Sequence, residues 1–414
     1  MKRRRFLTRV AGTAALCTFE SLVGSGCSSS PTAPSSTTAG LLARNVRTFG
    51  ARGDGSTDDT AAFAAAVRDL GTDGGTLAVP PGVYLINPLQ SIVLGSGMHL
   101  DLAPGAVLQA IPVAPGQSAV VAIRNVADVR VTGGTIIGER ARHLGSTGEW
   151  GFGIDVRGSA NVTIERVTVR ECWGDGLYVG SGVAGESRRV TIRDCISVGH
   201  RRQGLSITAC LSALVERCEF RGINGTVPEC GVDLEPNQPY AVRDVTVREC
   251  ICTGNAGGGI LVQGDTTAHC RIEGNQCSDN GNFGGIGFLF GPSGCEVRGN
   301  IVEWNRGAGI LLVESSGNIV AGNTIRHNSQ ARSGHWPNVW LQRRSSANAV
   351  AANVFGDAGH TPGVYPSFDI LVDADCDRNR VVGNLLRQRR IDGLGQAVGG
   401  VQNLNASTLV EDND

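Results

Sequence analysis

Two acidic residues on one short segment are the strongest candidates for chemistry in this sequence. They lie in Gly231-Val232-Asp233-Leu234-Glu235, where aliphatic and acidic residues alternate as in a β-strand. Residues two apart in a strand share a face, with Cα atoms roughly 6.5 to 7 Å apart. Such a pair suits hydrolysis of a glycosidic bond, because glycosidases hold their carboxyl groups ~5 to 9.5 Å apart. A cation site, with Ca2+ as the ion, and a solvated surface are the alternatives.

Further candidates precede neighbouring strands of the same kind. Asp175 stands directly before Gly176, and the loop of residues 139–150 enters the strand that begins near Gly153. Such a loop can offer guanidinium groups for a uronate carboxylate, an imidazole for proton transfer and an indole for sugar stacking. No cofactor or metal set is predicted beyond the Ca2+ alternative. The sequence therefore predicts Asp233, Glu235 and Asp175 as catalytic residues, and as substrate-binding residues Arg140, Arg142, His143, Glu149, Trp150, Asp155, Arg157, Tyr178, His200 and Arg202.

The elements that must position these residues recur along the chain. One slot holds Cys and then Asn at steps of 23 to 32 residues, at Cys172, Cys195, Cys218, Cys250, Asn275, Asn300, Asn323, Asn353 and Asn384. Short strands opened by glycine recur in step with it, at Gly153, Gly176, Gly204, Gly231, Gly259 and Gly309. Repeats of this length indicate a solenoid, and segments this short exclude βαβ crossovers. The predicted fold is all-β, a parallel β-helix.

The repeat assigns faces to its residues. Aliphatic residues one and three after each glycine are predicted to point inward, so residues two and four point outward. The outward positions are Asp155, Tyr178, Ser206, Asp233, Leu261 and Leu311, then Arg157, Gly180, Thr208, Glu235, Gln263 and Val313. Because the polar ones come first, we predict a cleft over residues 140–263. The Asn slot predicts stacked amides, and the Cys slot predicts packed thiols, with their oxidation state left open.

Composition excludes several classes of protein. With 59 Gly among 414 residues and 5% aromatic residues, the chain is neither a helical bundle nor a coiled coil. Acidic residues outnumber basic ones after the first 27 residues, which argues against nucleic acid as a partner. The one clear helix follows Asp58-Asp59-Thr60, runs from Ala61 to Leu70, and is predicted to cap the open end of the solenoid.

The first residues are predicted to be an export signal. Residues 1–27 contain Arg3-Arg4-Arg5-Phe6-Leu7, which resembles a twin-arginine export signal, and an apolar stretch ending at Cys27. Small residues before Cys27 resemble a lipoprotein cleavage box, so a lipid on Cys27 and membrane anchoring are expected alternatives to free secretion. A Ser/Thr/Pro-rich tether is predicted over 28–43 and the β-helix over 44–414. The expected location is periplasmic or extracellular.

One stretch carries a family resemblance. The segment Phe49 to Thr60, with Gly74-Gly75-Thr76 and Val79 to Tyr84 after it, resembles the opening of the pectate-lyase-like superfamily. Together with the repeats, the resemblance covers about residues 44 to 390 and implies a right-handed parallel β-helix, as in polygalacturonases, rhamnogalacturonases, mannuronan epimerases and phage tailspikes. The chain departs from polygalacturonases, which carry Asn-Thr-Asp where it has Gly174-Asp175-Gly176 and an acidic pair where it has Gln203-Gly204. The Asp-Pro-His motif of the epimerases is absent from the sequence.

These observations give three functional hypotheses. The first is an exported glycoside hydrolase that cleaves a polysaccharide, which the resemblance implies is uronate-containing. The second is a polysaccharide lyase or uronate C5-epimerase, with Tyr178, His143, His200 and Arg157 available as base and carboxylate partners. The third is a non-catalytic glycan-binding or adhesive protein. The sequence does not determine the sugar, the linkage or the oligomeric state.

Overall fold

A computed structural model describes residues 42–281, 283–356, 366–386, 390–391 and 397–414. The predicted export signal, Cys27 and most of the predicted tether lie outside the described residues. The described residues belong to one unit, Leu41–Asp414. Within them, no helix has both the length and the apolar character needed to cross a membrane.

Parallel strands, stacked in register, confirm the predicted parallel β-helix. A 12-stranded sheet, here called the site sheet, takes one strand from each coil. Its strands are Ile92–Leu94, Gln117–Arg124, Trp150–Arg157, Leu177–Gly180, Leu205–Ile207, Val232–Leu234, Ile260–Gln263, Ile286–Leu289, Ile310–Val313, Val339–Gln342, Ile370–Val372 and Val401–Asn403.

A 25-stranded sheet forms the other sides of the coils as two rows, which the long strands Met98–Ala110 and Ala127–Ile137 join. The first row also contains Ala43–Asn45, Gly75–Val79, Ala160–Glu165, Ser187–Arg193, Cys210–Glu216, Val242–Arg248, Thr267–Ala268, Arg271–Glu273, Glu296–Arg298, Ile319–Ala321, Ala349–Ala351, Arg380–Val382 and Leu409–Glu411. The second row contains Asp54–Asp58, Gly82–Ile86, Thr168–Arg170, Ile196–Val198, Glu219–Arg221, Ile251–Thr253, Gln276–Ser278, Ile301–Glu303, Thr324–Arg326 and Val354–Phe355. A separate antiparallel pair joins Arg390–Ile391 to Ala397–Val398.

The described residues contain one α-helix, Thr60–Leu70, as predicted, and the 3-10 turns Val46–Phe49 and Arg140–Arg142. The helix buries Phe63 and Leu70 against the first coils. Its start differs from the expected cap, because the Asp59 carboxylate accepts hydrogen bonds from the backbone of Arg52 at 2.7 Å and Gly53 at 3.1 Å. The N–H of Thr60 donates instead to Asp58, at 3.0 Å.

The predicted Cys and Asn slot is a continuous hydrogen-bonded column from Cys195 onward. The prediction was wrong for Cys172, because the register places Val167 next to Cys195 and the Cys172 N–H donates to His200. The Cys195 N–H donates to Cys218 Sγ at 3.5 Å, the Cys218 N–H to Cys250 Sγ at 3.4 Å, and the Cys250 N–H to Asn275 Oδ1 at 2.9 Å. From there each Asn amide donates to the Asn of the next coil, beginning with Asn275 and Asn300 at 3.0 Å. The eleven cysteines of the described residues are buried thiols without disulfides. The coils are therefore aligned by polar contacts as well as by aliphatic packing.

Candidate functional site

The first series of outward positions predicted from the glycine repeat forms one column on the site sheet. Glu235, of the second series, was expected on the same strand as Asp233 but follows the end of the strand Val232–Leu234. Asp155 pairs in register with Tyr178, Tyr178 with Ser206, Ser206 with Asp233, and Asp233 with Leu261. We call these five residues the site column. Val232 and Leu234 belong to the main interior core, whereas Leu261 packs in a separate cluster, so the column faces outward.

Asp233 is buried in this column and, among the described residues, no arginine, lysine or histidine side chain forms an ion pair with it. Its two carboxylate oxygens accept hydrogen bonds from Gln203 Nε2 at 2.7 Å and Gln263 Nε2 at 2.9 Å. The residue is 1% exposed. Burial, together with the negative charge of Glu235, raises the pKa of Asp233 to about 7. This carboxyl group can therefore hold a proton near neutral pH and release it to a reacting group.

Asp155 is a matched contrast from the same column. It is equally buried at 1% exposure, but Arg124 Nη2 lies 2.6 Å from one of its oxygens and Arg157 Nε lies 2.8 Å from the other. A buried carboxylate that only supports the fold is normally paired in this way. Asp233 receives two neutral amides instead, which identifies it as the functional candidate of the column.

Asp175 lies beside the column at the end where the strands begin. It is buried, accepts a hydrogen bond from Ser206 Oγ at 2.8 Å, and lies 3.2 Å from Arg202 Nη1. Burial raises the pKa of Asp175 to about 6, against the opposing effect of Arg202. Arg202 Nε lies 3.6 Å from a carboxylate oxygen of Glu149 and makes no hydrogen bond. The predicted residues Asp175, Glu149 and Arg202 therefore lie together.

The neighbouring part of the site is aromatic. Tyr178 stacks on Phe152 with ring centroids 4.6 Å apart, and its hydroxyl lies 2.7 Å from Thr208 Oγ1. The Arg157 guanidinium lies 4.4 Å from the centroid of the Tyr178 ring. Trp150, at the start of its strand, is 48% exposed and available for a sugar ring. Tyr178 and Arg157 thus lie on the face that the sequence predicted, whereas Trp150, predicted on a loop beside the cleft, is the first residue of the strand Trp150–Arg157.

Two predicted cations, Arg140 and Arg142, are engaged by hydrogen bonds to the protein itself, although Arg142 is exposed. Arg140 donates to the carbonyls of Gly199 at 2.7 Å and His200 at 3.0 Å, and Arg142 donates to the carbonyl of Ala110 at 3.2 Å. Their guanidinium groups hold turns together. The prediction that they grip a substrate carboxylate therefore receives no geometric support.

The two predicted histidines are also enclosed. The His143 side chain is 1% exposed, with Nδ1 2.9 Å from Glu139 and its ring stacked on Trp173 at 3.9 Å. His200 is fully buried, accepts a hydrogen bond from the Cys172 N–H at 3.1 Å, and lies 3.0 Å from Ser197 Oγ. Burial lowers the pKa of His200 to about 3, so its imidazole is neutral under ordinary conditions. Neither ring is placed to contact a ligand on the outer face.

Sequence reasoning missed the residues that support the site. The sequence showed Gln203 only as a residue before Gly204 and Gln263 only as one of the outward positions. Neither pattern indicated that their amides contact Asp233. Trp173 Nε1 and Arg201 Nη1 both donate to the carbonyl of Gly148, at 3.1 and 2.9 Å, and so fix the segment that presents Trp150. Nothing in the local pattern of Trp173 indicated this role.

A metal does not explain the buried carboxylates. In the part of the chain that the structure describes, no three His, Cys, Asp or Glu side chains come close enough to hold a metal ion. The Arg202 guanidinium lies against Asp175, where a cation would otherwise be needed.

Family comparison agrees with this fold. A family model described as a right-handed β-helix region matches residues 116–237 and 230–413. The chain belongs to this family. A second model, described as rhamnogalacturonase A/epimerase, pectate lyase-like, matches residues 43–102. The resemblance to the pectate-lyase-like superfamily is thereby confirmed, and the solenoid is right-handed.

The curated relatives of this chain are longer than the segment over which they align with it. The uncharacterized protein YclG of Bacillus subtilis is 26% identical over 401 residues, covering 84% of this chain and 64% of YclG. The prophage-derived uncharacterized protein YorA of the same organism is 30% identical over 242 residues, covering 50% of this chain and 40% of YorA. The chain thus spans less than two thirds of the length of these relatives.

Solved structures share the fold at low identity. The A-module of the mannuronan C-5 epimerase AlgE6 of Azotobacter vinelandii superposes with a TM-score of 0.70 and 21% identity, over 89% of this chain and 98% of the module. An exopolygalacturonase of Thermotoga maritima superposes with a TM-score of 0.51 and 15% identity, over 89% and 92% of the two chains. At such identities the likeness shows the common fold.

Proposed function

We propose that this protein is an enzyme that hydrolyses a polysaccharide, with Asp233 and Glu235 at its reaction centre. One observation carries the proposal. Asp233 is buried beside Glu235 with a pKa raised to about 7, while Asp155 in the same column is neutralised by two arginines. Two neighbouring carboxyl groups in different environments are how glycosidases separate an acid from a base or nucleophile.

The geometry suggests a division of roles. Below pH 7, Asp233 holds a proton that it can donate to the glycosidic oxygen as the bond breaks. The Glu235 side chain is less buried and makes no hydrogen bond or ion pair with a described residue, and its charge favours the protonated form of Asp233. It can therefore activate water or attack the sugar carbon. A substrate reaches Asp233 when the partly exposed Gln263 side chain turns aside.

A saccharide substrate fits the rest of the face. The exposed Trp150 offers a stacking surface, and the partly exposed guanidinium of Arg202 lies beside the carboxylates of Glu149 and Asp175. The match of residues 43–102 to the rhamnogalacturonase/epimerase model supports carbohydrate chemistry. Export is part of the proposal, with the leader of residues 1–27 as its basis and lipid attachment at Cys27 as a variant of it.

Elimination or C5-epimerisation of a uronate is the second candidate. It is favoured by the Arg157 guanidinium over Tyr178, a cation next to a phenol on the face that holds Asp233. In such a reaction a cation stabilises the substrate carboxylate while another group removes the neighbouring proton. The products distinguish the candidates, since hydrolysis adds water and leaves no unsaturated sugar.

The experiment incubates the protein with a panel of uronate-containing and neutral polysaccharides. Reducing ends, ultraviolet absorbance of unsaturated uronates, and NMR of the C5 configuration are followed together. We expect new reducing ends without absorbance, and a loss of at least about a hundredfold in rate for Asp233→Asn and for Glu235→Gln. Glu216→Gln is the matched control, because Glu216 is a buried carboxylate on the other sheet, paired with Arg248.

The other possible products would each favour a different function. Absorbing products would replace hydrolysis by elimination, and inverted C5 signals without cleavage would replace it by epimerisation. Binding of a polysaccharide that neither substitution alters, with no product of any kind, would favour the adhesive alternative. Equal activity of Asp233→Asn and the parent protein would remove Asp233 from the reaction centre.

A further inference from the structure

We propose that the outer face of the site sheet around Trp340 is a second saccharide-binding surface, which holds acidic sugar units of the polysaccharide on which the proposed reaction centre acts. We call Trp340, Gln342, Arg343 and Arg344 the Trp340 surface. The substrate in this inference is taken from the proposed function. The evidence comes from residues outside the proposed reaction centre. Its position follows from the register of the coils.

The Trp340 surface continues the site column. Asp233 pairs with Leu261, Leu261 with Gly287, Gly287 with Leu311, and Leu311 with Trp340. Four strand spacings of ~4.8 Å place the Trp340 backbone roughly 19 Å from that of Asp233 along the coil axis. A polysaccharide lying along this axis across Asp233 therefore reaches Trp340 several sugar units away.

Trp340 is held in an orientation suited to stacking. Its indole Nε1 donates to Asp373 Oδ1 at 3.0 Å, and Asp373 lies on the next coil, just beyond the strand that contains Leu371. Leu371 is the register partner of Trp340, so the indole leans along the coil axis towards it. The side chain is only partly buried. An indole fixed at its polar edge and open on one side is a stacking surface for a sugar ring.

Two arginines follow Trp340 in a strained turn. Arg343 and Arg344 both have positive φ angles, 52° and 62°, which cost bulky side chains free energy. The buried Ser345 fixes this turn, since its Oγ lies 2.9 Å from the carbonyl of Gln342 and 3.1 Å from that of Leu312. Phe290 and Glu314, which occupy the position of Arg343 on the two preceding coils, also have positive φ angles, so the turn is a regular feature of the coils that carries Arg343 and Arg344 at the surface.

The arginine side chains are free for a ligand. Both residues are exposed, and within the described residues neither guanidinium makes a hydrogen bond or an ion pair. Several arginines of the first row of the 25-stranded sheet are, in contrast, paired with glutamates, as Arg248 is with Glu216. Two unpaired guanidinium groups on the turn that follows the Trp340 strand fit a sugar that carries a carboxylate or another anionic group.

The test measures binding, so it does not depend on catalysis. Affinity electrophoresis and calorimetry compare long polygalacturonate and alginate with short oligosaccharides cut from each, and with neutral dextran. We expect Trp340→Ala to weaken binding of the acidic polymer about tenfold while short oligosaccharides bind as before. Trp304→Ala is the matched control, because Trp304 stacks on His327 at 4.3 Å at another corner of the coil.

A second variant, with Arg343 and Arg344 both changed to Gly, tests the proposal if Trp340→Ala does not fold. Replacing both Arg343 and Arg344 by Gly removes the guanidinium groups and suits the positive φ angles, so the protein should be no less stable. We expect this variant to bind the acidic polymer more weakly, with a smaller dependence on salt. Unchanged binding in both variants, equal binding of dextran, or a change only in self-association would overturn the proposal. Loss of polymer binding in a protein without hydrolase activity would support this surface and reject the proposed reaction.

Discussion

The substitution Asp233→Asn should remove activity and at the same time make the folded protein more stable at alkaline pH. The folded protein holds this carboxyl group at a pKa of about 7, against 3.8 as the reference value. The group therefore ionises more readily in the unfolded chain, and that difference opposes folding once the pH exceeds the reference value. Asparagine does not ionise, so the variant has no such difference between its folded and unfolded states.

The size of the effect follows from the shift. Three pKa units at about 1.4 kcal/mol each give an upper limit of about 4 kcal/mol. Well below pH 3.8 the carboxyl group is protonated in both states, so the ionisation of Asp233 no longer separates the two proteins in stability. As the pH rises from about 4 towards 7, the parent protein becomes less stable than the Asp233→Asn protein. Above pH 7 the difference in free energy of unfolding reaches its full value. The new amide is accommodated because Gln263 can turn its own amide to accept from it, while Gln203 keeps its bond to the Cys230 N–H.

Urea unfolding of both proteins at about pH 4, 6 and 8 measures this difference directly. The control Glu216→Gln should behave in the opposite way. Arg248 lowers the pKa of Glu216, so this group stabilises the fold above its reference value of 4.5, and its loss should destabilise the protein at neutral pH. If Asp233→Asn is no more stable than the parent at about pH 8, Asp233 is not the perturbed group that the mechanism requires.

Three further predictions concern the scaffold. Asn300→Ala should cost about 3 to 5 kcal/mol in urea unfolding, because Asn300 accepts two hydrogen bonds from Asn275 and donates to Asn323 and to the Ile272 carbonyl. NMR of His200 should show a neutral imidazole down to about pH 4, since burial lowers its pKa to about 3; protonation at pH 6 would refute its enclosure. The eleven buried thiols should resist a thiol reagent until the protein unfolds, and fast labelling of the native protein would contradict their packing.

The coil register was predictable because a solenoid has a fixed rise. Each recurrence of glycine, cysteine or asparagine returns the chain to the same corner, so spacing alone placed Tyr178, Ser206 and Asp233 in one column. The Asn column was predictable for a related reason, since an amide can donate to and accept from identical neighbours. Two further Asn columns, beginning at Asn255 and Asn318, escaped notice because fewer copies preserve them.

The loop residues were less predictable, because their direction depends on contacts with other coils. His200 was expected on the outer face, but its imidazole lies inside, where it accepts the hydrogen bond of the Cys172 N–H. Arg140 was expected to bind substrate, yet its guanidinium joins two turns through the carbonyls of Gly199 and His200. The burial of Asp233 was equally invisible, since it depends on Gln203 and Gln263 from the coils on either side.

The contrast between Asp155 and Asp233 can be tested by converting one environment into the other. In Gln263→Arg a guanidinium replaces the amide that lies 2.9 Å from Asp233, as Arg157 lies beside Asp155. A contacting cation lowers the pKa of a carboxyl group by about 1 to 3 units, so Asp233 would lose its proton well below neutral pH. We expect the alkaline limb of the pH–rate profile to move down by that amount, while urea unfolding shows higher stability at about pH 8. Gln263→Glu should act in the opposite sense on the same limb. Because the fold is the same in all three proteins, an unmoved alkaline limb would mean that the proton of Asp233 takes no part in the reaction.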